Sequence, residues 1–165
     1  MAVSSGFFLS LPLTKNTMDT FKIITEAHKG FAYLILLAGI IFIVALLATM
    51  FGYSGKISKL LRKSTLFTMI LFHVQLIVGI FMLVFSPGLK GALESGTLMS
   101  NAAARFSYVE HPVSMLIGVV LMTIINKYMK SNETLAMKIV IMGVIAMALF
   151  AYAFPWARVF PSMFA

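Results

Sequence analysis

Residues 31–51 read FAYLILLAGIIFIVALLATMF, an uninterrupted apolar run with no charged side chain. A bilayer core about 30 Å thick needs roughly 20 such residues in a helix, so this run is long enough to cross. The rest of the chain fits the membrane reading. Of 165 residues, 61% are hydrophobic and 11% charged, and the mean hydropathy is +1.00. A soluble domain of this size carries about twice that charged fraction.

Three further runs follow. The second spans Leu66–Phe85 and ends at the breaker Ser86-Pro87-Gly88. The third is weaker. Between Pro112 and Asn126 every residue but Ser114 and Thr123 is apolar. That run is too short to span alone, so residues from about Phe106 must share the bilayer, drawing in Glu110 and His111. The fourth runs from Ile139 to about Phe154, with Pro155-Trp156 at its exit. The first helix is expected to start near Thr20, because Phe21, Ile24, His28, Phe31 and Ile35 fall on one stripe.

Short connections between runs one and two, and three and four, predict antiparallel neighbours. The expected fold is all-α: an integral membrane four-helix bundle, up-down-up-down. Residues 1–18 are read as an exposed or interfacial arm, 19–156 as the transmembrane domain and 157–165 as a tail. The opening MAVSSGFFLSLPLT lacks a basic start and is broken by Pro12, unlike a cleaved signal. Gly39, Gly79, Gly118 and Gly143 each fall near the middle of a run, where small residues allow close helix approach or leave room for a flat ligand.

The formal charge of +8 is not a nucleic-acid signal, because the basic residues flank apolar runs. There they orient the chain and meet anionic headgroups of membrane lipid. Lys56, Lys59, Arg62 and Lys63 fill the first connection, and Lys127, Lys130 and Lys138 surround the third. These loops are expected in the cytoplasm, leaving both termini periplasmic in a bacterial inner membrane. Lys15, Lys22 and Lys29 weigh against that orientation without reversing it. With no cysteine, thiolate metal sites, iron–sulfur clusters and thiol nucleophiles are excluded.

The most informative polar residues are the three histidines, each within or beside an apolar run: His28, His73 and His111. Ionisable groups in hydrocarbon are costly and mark function, and imidazole is a common ligand of haem iron. Measured from run midpoints, His28 lies about 20 Å outward, His111 roughly 7–12 Å outward and His73 about 4 Å inward. A spread of about 24 Å disfavours one compact zinc site, whose donors lie about 2 Å from the ion.

Two axial ligands on opposite faces of a haem tolerate more stagger. His111 with His73, or His111 with His28, are the pairs to consider, and the sequence does not choose between them. A second haem would need non-histidine ligands such as Met142 or Met147. Arg105 could pair with a haem propionate; Glu110 could orient an imidazole or serve a proton path. The plainer readings are an interfacial Arg held by headgroups, a Glu capping or salt-bridging a helix start and structural histidines bonded to neighbouring helices.

The stretches LFHVQLIVGIFMLVFSPG around His73 and RFSYVEHPVSMLIGVVLMTI around His111 resemble a small four-helix membrane family of Bacteroidota labelled cytochrome-B-like. AHKGFAYLILL, around His28, is similar to that family's first helix. The similarity covers about residues 27–156. It implies haem b and electron transfer, with His28, His73 and His111 as ligand candidates and Arg105, Glu110 and Gln75 beside them. Gly30-Phe31 departs from the expected Leu-Arg-aromatic pattern, so no charged partner is implied in the first helix.

The expected role is therefore one-electron transfer between a quinol or redox subunit and another acceptor. Any catalysis would require a partner chain, in a homo- or hetero-oligomer. The alternatives are a non-redox accessory subunit and a small proton-coupled transporter using His73, Gln75 and Glu110. A membrane metallo-hydrolase stands further off, since the depths do not bring its metal ligands together.

Overall fold

A computed structural model describes residues 13–52 and 55–156, with side chains from residue 19 onward. The fold is all-helical, and no β-strand occurs among the described residues. Four long helices dominate: α1 (Leu13–Phe51), α2 (Lys59–Val84), α5 (His111–Ser131) and α6 (Met137–Ala153). Two short ones, α3 (Pro87–Glu94) and α4 (Ala102–Arg105), lie between α2 and α5, and a π-helical turn (Phe106–Glu110) joins α4 to α5.

Three stretches are long and apolar enough to cross a membrane: Asp19–Phe51, Lys59–Val84 and Ala102–Ser131. The last joins α4, the π turn and α5, as the weak third run required. Helix α6 has 17 residues, roughly 25 Å of rise, and is shorter than the other three.

Each boundary has a local cause. Ser58 caps α2, its hydroxyl accepting from the Leu61 amide at 3.0 Å. The breaker Ser86-Pro87-Gly88 does end α2, but it also starts α3. Ser86 accepts from the Leu89 amide at 3.2 Å, and Pro87 occupies the first turn, where its missing N–H costs nothing. Helix α1 starts at Leu13, earlier than the expected Thr20, so the expected arm boundary at residue 18 lies inside a helix. Residues 1–12 of that arm and the tail 157–165 lie outside the described residues.

Helix α1 packs on α2 and α6, α2 on α5, and α5 on α6. The two basic connections lie side by side at one end. The Ile57 amide donates to the Glu133 carbonyl at 2.8 Å, and Leu135 to the Gly55 carbonyl at 2.9 Å, around a single bridge between Lys56 and Thr134. Gly55 turns there with φ of 56°, a conformation that suits glycine. Arg62 closes the junction by donating to the Asn132 carbonyl at 2.7 Å.

The core is built from Phe42, Leu46, Leu61, Phe72, Met122, Ile125 and Met129, all essentially inaccessible. On α5 the buried residues Ser114, Met115, Gly118, Met122, Ile125 and Met129 recur at three- and four-residue spacing, one stripe facing inward. The glycines mark helix contacts. A Cβ at Gly118 would lie 2.9 Å from Phe72, and one at Gly143 would lie 2.6 Å from Leu46 and 3.2 Å from Phe42.

Gly118→Ala and Gly143→Ala should therefore each cost about 1–3 kcal/mol through overpacking. Gly30 has nothing within 4 Å of a built Cβ, so Gly30→Ala should instead gain about 0.5–1 kcal/mol from helix propensity. Unfolding midpoints of the three variants in detergent check this ordering.

Candidate functional site

The polar residues at the end of the molecule away from the basic connections converge on His28 and His111. His28 sits on α1 against the bare backbone of Gly79 on α2, where a Cβ would lie 3.3 Å from its Cε1. Its Nδ1 is buried and has no hydrogen-bond partner. One turn along α2 from Gly79, the buried Gln75 donates from Nε2 to the His28 carbonyl at 2.9 Å. The other amide atom, Oε1, is buried without a partner.

His111 reaches the same place from α5. Its ring centre is 5.9 Å from that of His28, with the planes at 59°. The backbone upstream sets this position. Pro112 has no N–H to donate back to the Tyr108 carbonyl, and its ring crowds the preceding turn. The chain widens there into the π turn, with the His111 amide donating to the Phe106 carbonyl instead. Such wide turns re-aim side chains and are frequent at functional sites.

His111 Nδ1 lies 3.0 Å from the Ala153 carbonyl at the end of α6, where a helix leaves its last carbonyls free. A carbonyl only accepts, so Nδ1 carries the proton. In the neutral ring Nε2 then holds a free lone pair, the tautomer in which metal-ligating histidines are set. Phe106 meets the ring edge-on, at 6.4 Å between centres.

Arg105, Glu110 and Tyr152 form a linked group beside the pair. Arg105 Nε donates to Glu110 Oε1 at 2.7 Å, and its Nη1 to the Met99 carbonyl at 3.1 Å. The Tyr152 hydroxyl donates to Glu110 Oε2 at 2.7 Å. Both carboxylate oxygens are thereby engaged, and the group that orients the His111 imidazole is the Ala153 carbonyl. Gln75 likewise touches the His28 backbone, through its amide.

His73 lies elsewhere. Its Nδ1 donates to the Met69 carbonyl at 2.8 Å, and its Nε2 is 3.5 Å from Thr123 Oγ1. Gly79, opposite His28, is six residues further along α2, about 9 Å of rise. The expected spread of about 24 Å between His28 and His73 is therefore too large. The apolar run in α1 marks where charges stop, whereas the helix continues back to Leu13, so the run's midpoint misplaces its register against α2. Met147 packs over Gly39, eleven residues from His28 on α1 and thus about 16 Å away along the axis.

Among the described residues no group of three or more His, Cys, Asp or Glu side chains could hold a metal ion. Sequence reading missed Tyr152, the Ala153 carbonyl and the role of Gly79 as the seat of His28. The first two lie 42 residues from their partners, and no periodicity reports such a pairing. Compared with protein-family models, curated proteins and solved structures, the chain matches none.

The Arg105–Glu110–Tyr152 group should act as a unit. Tyr152→Phe is expected to lower stability, and its effect should be non-additive with Glu110→Gln. A double-mutant cycle on unfolding in detergent measures the coupling; purely additive losses would contradict the linkage.

Proposed function

We propose that this chain is a haem-b-binding electron-transfer protein of a bacterial inner membrane, a four-helix up-down-up-down bundle with iron held between His28 and His111. The observation that carries the reading is the paired imidazoles. An ion about 2 Å from one nitrogen of each ring needs ring centres roughly 6 Å apart, and these are 5.9 Å apart. Two further features fit. His28 has a buried nitrogen with nothing to bond, and buried polar atoms call for partners. His111 is held by Ala153 in the tautomer that frees Nε2.

Haem, when bound, supplies reversible one-electron chemistry. The chain's own part is to hold both imidazoles, fix the His111 tautomer and screen the pair with Phe106. Arg105 is 40% exposed and remains the candidate for a propionate, with Glu110 steadying its guanidinium. Membrane residence is supported by the outward faces of α1, α2 and α5, where Leu34, Leu37, Ile41, Phe67, Ile70, Ile77, Leu116 and Ile124 are exposed. Contiguous apolar surface of this kind is what lipid or another subunit covers. The basic connections on one end suit the cytoplasmic side, with both termini outside. A quinol or a redox subunit is the expected electron partner. A transporter finds less support, because Glu110 is bound to Arg105 and Tyr152 while Gln75 faces the His28 carbonyl.

The test is haem-replete expression, purification in detergent and pyridine haemochromogen analysis. Wild type should carry haem, His28→Ala and His111→Ala should each abolish it, and His73→Ala should retain it. Gly79→Val should reduce it by pushing the His28 ring aside. Absence of haem, or its survival in His111→Ala, would overturn the assignment and favour a non-redox accessory subunit.

A further inference from the structure

At the opposite end of the molecule, a crevice of about 170 Å³ opens between α2 and α5, lined by Arg62, Lys63, Leu66, Asn126, Met129 and Lys130. Three cationic side chains from two helices border a small space whose walls are apolar. Asn126, 6% exposed, is a buried polar residue on its wall. Arg62 is held in place by the Asn132 carbonyl and, at 3.5 Å, by the exposed Glu133 carboxylate.

Lys63 also borders a second space. An apolar groove of about 300 Å³ runs along α1 and α2, lined by Leu34, Leu37, Ile41, Leu60, Phe67 and Leu71 with Lys63 and Ser64 at its end. Lysine side chains lay their stems along apolar surface while the ammonium stays at the polar level. One residue thus links a hydrocarbon-lined groove to a cationic crevice. That combination matches an anionic phospholipid: an acyl chain on α1 and α2, and a phosphate among Arg62, Lys63 and Lys130. Basic pockets between helices on this side of a bundle commonly take such headgroups.

We propose that the α2–α5 crevice binds the headgroup of an anionic phospholipid, with Lys63 joining it to the acyl groove. The inference rests on membrane residence and not on haem. It is tested on detergent-purified full-length protein by native mass spectrometry, titrating dioleoyl-phosphatidylglycerol against dioleoyl-phosphatidylcholine. The anionic lipid should bind preferentially, and the preference should fall about fivefold for each cation lost in Lys63→Gln and Lys130→Gln. Lys90→Gln, on α3, should leave it unchanged.

Asn126→Asp, which places a negative charge on the wall, should weaken binding without removing a cation. Equal binding of both lipids, or a preference that survives the double lysine variant, would overturn the proposal. Displacement of the lipid by millimolar inorganic phosphate would also overturn it, showing an anion site without acyl recognition. His28→Ala should not alter lipid binding, which separates this result from the fate of the haem assignment. A chain that stays monodisperse without detergent would instead remove the membrane reading itself.

Discussion

The contact of the His28 ring with the bare backbone of Gly79 sets the register on which the rest of this end depends. A Cβ at 79 would lie 3.3 Å from the imidazole Cε1, so a side chain there would press on the ring where α1 meets α2. With that register, Gln75 comes one turn below, and its amide reaches the His28 carbonyl. An interhelical hydrogen bond of this kind contributes about 1 kcal/mol in an apolar surround, less than the packing around it. It ties α1 to α2 at His28, whose ring centre lies 5.9 Å from that of His111 on α5.

The second half of the arrangement comes from Pro112. A proline early in α5 removes a backbone donor, and the turn before it is widened. Glu110 and His111 are neighbours in sequence, yet they serve different partners: the carboxylate takes Arg105 and Tyr152, and the imidazole takes the Ala153 carbonyl. The end of α6 matters for the same reason. Because it stops at Ala153, its last carbonyl is free to set the His111 tautomer.

Much of the helical layout is legible in residue order. Uncharged runs mark α1, α2 and α6, Ser86-Pro87 marks the end of α2, and a stripe of period 3.6 marks the buried face of α5. The eight-residue α3 was not visible, since PGLKGALE has the composition of a loop and becomes helical through the Ser86 cap. His28, His73 and His111 stand out as costly residues in apolar sequence, but their pairing does not. It depends on the offset between α1 and α2, which hydropathy does not report, and on a carbonyl, which has no residue signature. Tyr152 is hidden for a similar reason: its value lies in a contact with Glu110 across two helices.

The central proposal is that His28 and His111, whose ring centres lie 5.9 Å apart, are the residues that would hold haem iron. Electron paramagnetic resonance of the oxidised protein addresses it most directly. A low-spin signal characteristic of two imidazole ligands is predicted, and it should be lost when either His28 or His111 is replaced by alanine. A high-spin signal in the unaltered chain, or a two-imidazole signal lost with His73→Ala and kept without His28, would contradict the account.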